Sequence, residues 1–214
     1  RSCSFSASAA ASCASALGGG AAAPGADQTI ALTATRPATS AVPPTAVQRA
    51  LPLVAGGERV VRFPLAPFLG TMGVAVAGDE RPHSVPPGAH GGNIDINLLV
   101  EGTVLYLPVQ VPGALAYVGD PHFAQGDGEV ALTALEASLR ATLRFEVVPR
   151  DEALAAFGEV TGPLVRTGEY LVPTGLDPDL NEAMRKAVRA ALDLLAARYG
   201  MAEHLAYAYL SAAT

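Results

Sequence analysis

Between Glu58 and Val148 the chain alternates short apolar segments with turns rich in glycine and proline. Apolar segments of this length favour strands, and glycine or proline pairs between them favour tight turns. The strands that this pattern predicts are Arg59–Leu65, Asn93–Val100, Val104–Val111 and Ala114–Val118. The chain is therefore expected to fold around a mostly antiparallel β core.

The stretch Glu129–Val148 is long enough for one bent strand or two. Leu135 and Leu139 are four positions apart, so Ala134–Thr142 is also compatible with a helical turn. We favour the β interpretation because Leu143, Phe145 and Val147 alternate on one face of an extended chain.

The C-terminal part has a different period. Asp179–Tyr199 carries alanine and leucine at helical spacing, with Asp177 or Asp179 as the N-cap and Gly200 as the stop. A second helix, Ala202–Ser211, is expected to form an antiparallel hairpin with the first. Together with the β core, this predicts an α+β fold with a C-terminal helical hairpin.

The N-terminal part lacks core-forming side chains. Residues 1–26 are almost all serine, alanine, glycine and cysteine, so we predict that they lie outside the packed core as a disordered or non-native extension. A processed signal peptide is the alternative, although the segment has no leucine-rich centre. Residues 27–57 are interpreted as a linker with one strand candidate, Thr29–Thr35. The predicted division is a leader and linker over 1–57 and a domain over 58–214.

Composition excludes several classes of function. The formal charge is −6 and the basic residues are dispersed, which argues against a nucleic-acid partner. No stretch approaches the roughly 20 apolar residues of a membrane span. Cys3 and Cys13 both lie in the leader, so no disulfide framework is expected in the core, which suits a cytoplasmic protein.

A first polar segment interrupts the apolar core at residues 90–97, His-Gly-Gly-Asn-Ile-Asp-Ile-Asn. In a strand, Asn93, Asp95 and Asn97 share one face, and the isoleucines share the other. Gly91 and Gly92 allow the backbone to approach a ligand closely. The segment predicts a carboxylate between two amides, or simply a solvated strand face.

A second polar segment covers residues 119–129, Gly-Asp-Pro-His-Phe-Ala-Gln-Gly-Asp-Gly-Glu. Asp120 and His122 share a face if the chain is extended there, and so do Asp127 and Glu129. A histidine beside carboxylates suits zinc or another divalent ion, which lowers the pKa of bound water to about 7. The structural alternative is two ordinary turns, at Asp120-Pro121 and at residues 126–128.

These segments resemble sequences of the acetamidase/formamidase family in order and spacing. The resemblance begins at about residue 58, and its motifs include residues 67–75, 87–95 and 105–109. It is most specific over residues 113–115 and 119–130, and extends to the C-terminal helices. It implies a jelly-roll-like β-sandwich, hydrolysis of formamide or acetamide to the acid and ammonia, a homo-oligomer, and a divalent metal, since metal-containing relatives are known.

The resemblance also suggests which residues form the site. We expect the side chains of its two motifs to converge on one cleft. The roles assigned here are metal binding, with zinc favoured, for His90, Asp95, Asp120 and His122; proton transfer for Glu129; oxyanion stabilisation for Asn93; and substrate binding for Gly92, Gln125 and Asp127.

One departure from the family favours an alternative. Members of the family begin with a further β region, and residues 1–57 show no similar pattern. The alternative is therefore a catalytically inactive, truncated or misread homologue that acts as a binding or structural subunit. A metal- or sugar-binding jelly-roll module is a third interpretation.

Overall fold

The computed structural model describes residues 2–6, 28–39, 48–79 and 81–213. Within them the strands form three antiparallel sheets, and three helices follow in the C-terminal part. The order of elements is β1 (Ser2–Ser6), β2 (Gln28–Thr39), β3 (Gln48–Pro52), β4 (Val60–Pro64), β5 (Phe68–Gly73), β6 (Gly91–Asn93), β7 (Val104–Pro108), β8 (Tyr117–Ala124), β9 (Leu135–Glu136), β10 (Leu139–Pro149), α1 (Arg150–Phe157), β11 (Leu164–Arg166), β12 (Leu171–Pro173), α2 (Leu180–Tyr199) and α3 (Glu203–Ala213).

The six-stranded sheet has the order β1-β10-β2-β7-β11-β12 and is buried on both faces near its centre. Ile30 and Leu32 of β2 are fully buried in the main core, whereas Ala31 between them packs on the opposite side. Because successive strand residues point to opposite faces, this strand needs apolar residues at consecutive positions. The sequence Ile-Ala-Leu provides them.

The main core lies between this sheet and the four-stranded sheet, which has the order β6-β5-β8-β9. Leu105, Leu107 and Leu143 contribute from the first sheet, and Phe68 and Met72 contribute from β5. The second core lies under α1 and α2, where Phe157 and Leu194 pack with residues of β2, β7 and β11. Sheets and helices thus form the layered α+β architecture that the sequence predicts.

The helix predictions for the C-terminal part are confirmed. Asp179 caps α2 by accepting hydrogen bonds from the backbone N–H groups of Asn181 and Glu182. Gly200 ends the helix in a left-handed conformation (φ 64°), and its N–H donates to the carbonyl of Ala196. The eight-residue helix α1 was not predicted.

The linker interpretation is wrong for Gln28–Thr39. This segment forms β2 and lies between β10 and β7, because Ile30 and Leu32 supply buried apolar area to the core. The predicted strand Thr29–Thr35 falls within it. Ser2–Ser6 pairs with β10 at the edge of the same sheet, whereas Arg1 and residues 7–26 of the predicted leader lie outside the described residues.

Two strand predictions need correction. Of the predicted strand Asn93–Val100, only Asn93 lies in a strand, at the end of β6, because Asp95 adopts a left-handed backbone (φ 47°) that ends the alternation. In the predicted strand Ala114–Val118, the first two residues also have positive φ, and pairing begins at Tyr117.

Candidate functional site

The site surrounds a glycine of β5, which leaves space for side chains from other elements. Gly70 lies between the cross-strand pairs Leu69–Pro121 and Thr71–Gly119. A Cβ atom placed on Gly70 would lie less than 3.0 Å from Asp95 Oδ1, His122 Cε1 and Asp120 Oδ2. The space that a side chain would fill beside Gly70 is therefore occupied by atoms of polar side chains from β8 and from the loop after β6.

His122 is the most buried member of this group. Its side chain is 1% exposed, and its ring packs edge-on against Phe68, with centroids 5.0 Å apart and an interplanar angle of 88°. Nε2 lies 3.2 Å from Asp120 Oδ1 and 3.4 Å from Glu136 Oε2, and Nδ1 lies 4.0 Å from Asp95 Oδ1.

Neither ring nitrogen of His122 has a hydrogen-bond partner among the described residues. The carboxylate oxygens are close to Nε2, but they do not lie in hydrogen-bonding directions. A buried polar atom without a partner costs about 1–3 kcal/mol of stability, so such atoms usually indicate a bound ligand, ion or water. His122 has two such atoms, Nδ1 and Nε2, on one buried ring.

Asp95 belongs to the loop after β6, and its side chain also lies beside Gly70. Its backbone N–H donates to the carbonyl of Gly70 (3.0 Å), and its Oδ1 atom is buried without a hydrogen-bond partner among the described residues. Burial, together with the charges of Glu129 and Asp120, raises the pKa of Asp95 to about 6. Ionised carboxylates are crowded here, and a cation would relieve that repulsion.

The backbone of the site is strained at three acidic residues. Asp95, Asp120 and Glu129 have φ values of 47°, 53° and 41°, in the left-handed region that side chains other than those of glycine rarely adopt. Each such residue costs of order 1–3 kcal/mol, and such strain is concentrated at functional sites. The left-handed conformation also aims Asp95 towards Gly70 rather than along the strand alternation.

Amide side chains join the two loops that carry these acids. Gln125 Nε2 donates to the carbonyl of Asp95 (2.6 Å), and Asn97 Nδ2 donates to the carbonyl of Gln125 (3.2 Å) and to Asp127 Oδ1 (2.8 Å). Gln125 Oε1 remains buried without a hydrogen-bond partner in the described part of the chain. Asp127 therefore positions a loop, whereas Gln125 offers a free acceptor.

The described residues contain two donor sets in which all ligand atoms lie within 4.8 Å of one another. One is Asp95, Asp120 and His122, and the other is His122, Glu129 and Glu136. The structure thus brings together four of the five side chains that were expected to converge from the two sequence motifs. Glu136 joins them from β9, where it pairs with His122 across the strands.

His90 does not belong to either donor set. It is 9% exposed, its carbonyl accepts from the N–H of Val74 (2.9 Å), and its ring lies against Gly88 and Gly92. Burial lowers its pKa, which favours a neutral imidazole. The metal-binding role expected for His90 is not supported by this position.

Asn93 also faces away from the donor sets. Thr71 Oγ1 donates to Asn93 Oδ1 (3.0 Å), and Thr71 points to the opposite face of β5 from its neighbour Gly70. The expectation that Asn93, Asp95 and Asn97 share one face is therefore wrong. A Cβ on Gly92 would meet His90 and the hydroxyl of Tyr117, so Gly92 also lies beside another part of the sheet.

Two residues of the site were missed in the sequence. Gly70 carried a signal, since glycine inside a strand often marks a close approach of other groups. Glu136 carried none, because its place depends on the pairing of β9 with β8. The other two histidines, His83 and His204, are both exposed and belong to neither donor set.

Comparisons with known proteins give one consistent result. The model of the Acetamidase/Formamidase family matches residues 64–214. The acetamidase of Mycolicibacterium smegmatis is 30% identical over 138 residues, which cover 57% of this chain and 34% of that protein. The formamidase of Methylophilus methylotrophus is 48% identical over 54 residues, or 25% of this chain and 13% of that protein. The matched region thus spans about a third or less of these curated relatives.

Solved structures resemble the chain over a larger part of its length. The acetamidase from Yersinia enterocolitica superposes with a TM-score of 0.73 and 25% sequence identity, covering 88% of this chain and 64% of that one. None of the helices in the described residues is long and apolar enough to cross a membrane.

Proposed function

Because the chain belongs to the acetamidase/formamidase family, we propose that it hydrolyses short linear carboxamides, formamide or acetamide, to the carboxylic acid and ammonia. The observation that carries the proposal is His122, a buried imidazole among acidic side chains whose two nitrogens have no hydrogen-bond partner within the described ranges. Water attack on an unactivated amide needs an activated nucleophile, a place for the developing negative charge and a proton for the leaving nitrogen.

A divalent cation fits the first donor set on the chemistry of its members. Two ligands of one tetrahedral zinc, each bound at about 2.1 Å, lie roughly 3.4 Å apart. The separation of 3.2 Å between His122 Nε2 and Asp120 Oδ1 is close to that value. Asp95, Asp120 and His122 are the residues that would hold the cation, and zinc remains the ion that we favour. A bound divalent ion supplies a water of lowered pKa and polarises a carbonyl oxygen.

The remaining side chains divide the other tasks. Gln125 Oε1, buried and unpartnered in the described part of the chain, is placed to accept a hydrogen bond from the N–H of a substrate amide. Its own amide group is held by the carbonyl of Asp95, so this acceptor is fixed relative to the carboxylates. This arrangement favours a primary amide, which has two N–H donors.

Glu129 is the proposed proton carrier. It belongs to the set around His122 and is partly exposed, so it can exchange protons with solvent. It takes a proton from water as the oxygen bonds to the amide carbon, and gives one to the nitrogen as the C–N bond breaks. The products are the acid and ammonia, and Glu129 returns to its ionised form.

The proposal includes two properties of the whole protein. A homo-oligomer is supported by exposed side chains on α3, where Leu205, Tyr207 and Tyr209 are each at least half exposed. The cytoplasmic location remains a prediction from the distribution of cysteines. Light scattering of the purified protein measures the first, and fractionation of cells measures the second.

The test is release of ammonia from formamide and acetamide by the purified 214-residue chain. Activity should disappear after chelation and return with added zinc, and His122→Gln should abolish it. His204→Gln is the matched control, since His204 is exposed on α3 and should behave as wild type. An active protein that is indifferent to chelation would contradict the metal part of the proposal, and a folded, metal-loaded but inactive protein would favour the non-catalytic alternative.

A further inference from the structure

The left-handed backbone of Asp95 is held by hydrogen bonds on both sides. Its N–H donates to the carbonyl of Gly70 (3.0 Å), and its own carbonyl accepts from Gln125 Nε2 (2.6 Å). A residue other than glycine rarely adopts a φ of 47°, so the surrounding contacts must select this conformation. One contact comes from β5 and the other from the segment after β8.

Asn97 completes a set of bonds between the two segments. Its Nδ2 atom carries two N–H groups, which donate to the carbonyl of Gln125 (3.2 Å) and to Asp127 Oδ1 (2.8 Å). The side chain of Gln125 thus holds the backbone of Asp95, and the side chain of Asn97 holds the backbone of Gln125. Residues 95–97 and 125–127 are therefore linked in both directions.

The three linking side chains lie further from solvent in the order in which they lead to Asp95. Asp127 is exposed, Asn97 and Gln125 are half-buried, and Asp95 Oδ1 is buried. Asp127 belongs to neither donor set, and the oxygen that it contributes is used by Asn97. The link therefore runs from the surface to a side chain that is placed to hold the cation.

We propose that Asn97 is a positioning residue for Asp95 and that it acts through Gln125. Asn97 fixes the backbone of Gln125, Gln125 fixes the carbonyl of Asp95, and the resulting turn keeps Asp95 Oδ1 beside Gly70 and His122. Residues that orient metal ligands in this way usually change metal affinity by about 10- to 100-fold when they are replaced. This inference rests on the metal part of the proposed function.

The competing explanation is that Asn97 only stabilises the two loops. Its removal would then lower the melting temperature, but the folded protein would bind the metal as tightly as before. Metal affinity measured well below the melting temperature separates the two explanations, and it does not depend on an activity assay.

The experiment measures the zinc affinity of the metal-free 214-residue chain by competition with a chromophoric chelator. Asn97→Ala and Gln125→Ala should each bind zinc about 10-fold more weakly or worse. The double variant should bind no more weakly than Gln125→Ala, because both changes interrupt the same link. Asn181→Ala, which changes an exposed amide at the start of α2, is the matched control and should bind as the wild type does.

Two further measurements test the route. Asp127→Asn should bind zinc nearly as tightly as the wild type, because the amide oxygen of the new side chain still accepts from Asn97 Nδ2. The absorption spectrum of bound Co²⁺ depends on the geometry of its ligands, so Asn97→Ala should change this spectrum if Asp95 is displaced.

Each outcome decides the inference. If Asn97→Ala keeps the zinc affinity or the cobalt spectrum of the wild type, the inference fails and the proposed function stands. Additive losses in the double variant, or a loss in Asp127→Asn as large as in Asn97→Ala, also overturn it. A wild type that binds neither metal overturns both this inference and the metal part of the proposed function. Should Asn97→Ala not fold, Asn97→Asp replaces it with the same expectations, since it keeps the size of the side chain and has no N–H group to donate.

Discussion

Substituting Gly70 with alanine tests whether the site depends on the lack of a side chain at this position of β5. Gly70 does not have a positive φ, so alanine is compatible with the backbone, and the loss of glycine freedom alone would stabilise a strand by about 0.5–1 kcal/mol. The added methyl group would instead lie less than 3.0 Å from Asp95 Oδ1, His122 Cε1 and Asp120 Oδ2. At least one of these side chains must move.

The size of the effect follows from these opposing contributions. Forcing a methyl group into a filled space costs about 1–3 kcal/mol, so the net loss of unfolding free energy is expected to be about 1–2 kcal/mol. For a chain of this size, that loss lowers the melting temperature by roughly 2–8 °C. The larger effect is on metal binding, since displaced ligands should weaken it by about 10-fold or more.

Gly119→Ala is the matched control. Gly119 lies on β8 opposite Thr71, and no atom of the residues that the structure describes lies within 4 Å of a Cβ placed there. Both variants are measured by thermal melting with and without zinc, and by titration with the metal. If Gly70→Ala binds zinc as tightly as Gly119→Ala and melts at the same temperature, the site is not assembled around Gly70.

Three further predictions concern the roles of Glu129 and Asp120, the pKa of Asp95 and the N-terminal segment. Glu129→Gln should abolish amide hydrolysis while metal content is retained, whereas Asp120→Ala should lose both. Elemental analysis together with the ammonia assay distinguishes a proton carrier from a metal ligand. In the metal-free protein, the raised pKa of Asp95 means that the folded state holds its proton up to about pH 6, against 3.8 unfolded, so stability falls as pH rises through this interval. Asp95→Asn should therefore be more stable than wild type by about 1–2 kcal/mol at pH 7, after screening by solvent, and equal at pH 4 in urea unfolding. Limited proteolysis within residues 7–26 should leave the melting temperature unchanged; a fall of several degrees would show that this segment belongs to the core.

The sequence predicted the secondary structure best where one local signal decides. The helix at 180–199 has a capping aspartate, a helical apolar stripe and a terminal glycine, and all three act within a few residues. The strands β4 and β7 were also predicted, because both segments are short, mostly apolar and bounded by turn residues. Such features do not depend on the rest of the fold.

The loop after β6 shows where local reasoning fails. Alternation predicted that the two isoleucines would point to the core, and Ile94 and Ile96 do pack against it. The same alternation placed Asn93 and Asp95 on one face, which a single left-handed residue at Asp95 prevents. Backbone conformations of this kind are selected by tertiary contacts, here the hydrogen bond to Gly70, and leave no clear local signal.

The proximity of four side chains in the candidate site was predicted from the sequence, whereas the roles of these side chains remain predictions. Asp95, Asp120, His122 and Glu129 come from two motifs that are visible in the sequence, and the structure places them together. Glu136 became visible only when strand pairing was known. His90 has the chemistry of a ligand but lies in the turn before β6, and its ring is beside Gly88 and Gly92 rather than beside Gly70.

The position of β2 has a consequence for how the chain folds as it is synthesised. This strand lies between β10 and β7, yet one partner, Leu139–Pro149, follows it by roughly 100 residues. At typical translation rates, β2 waits roughly 5–20 s for that partner to emerge, with its Ile-Ala-Leu segment unpaired on one edge. Until that partner emerges, one edge of β2 offers unpaired N–H and C=O groups, and such an edge can pair with another chain.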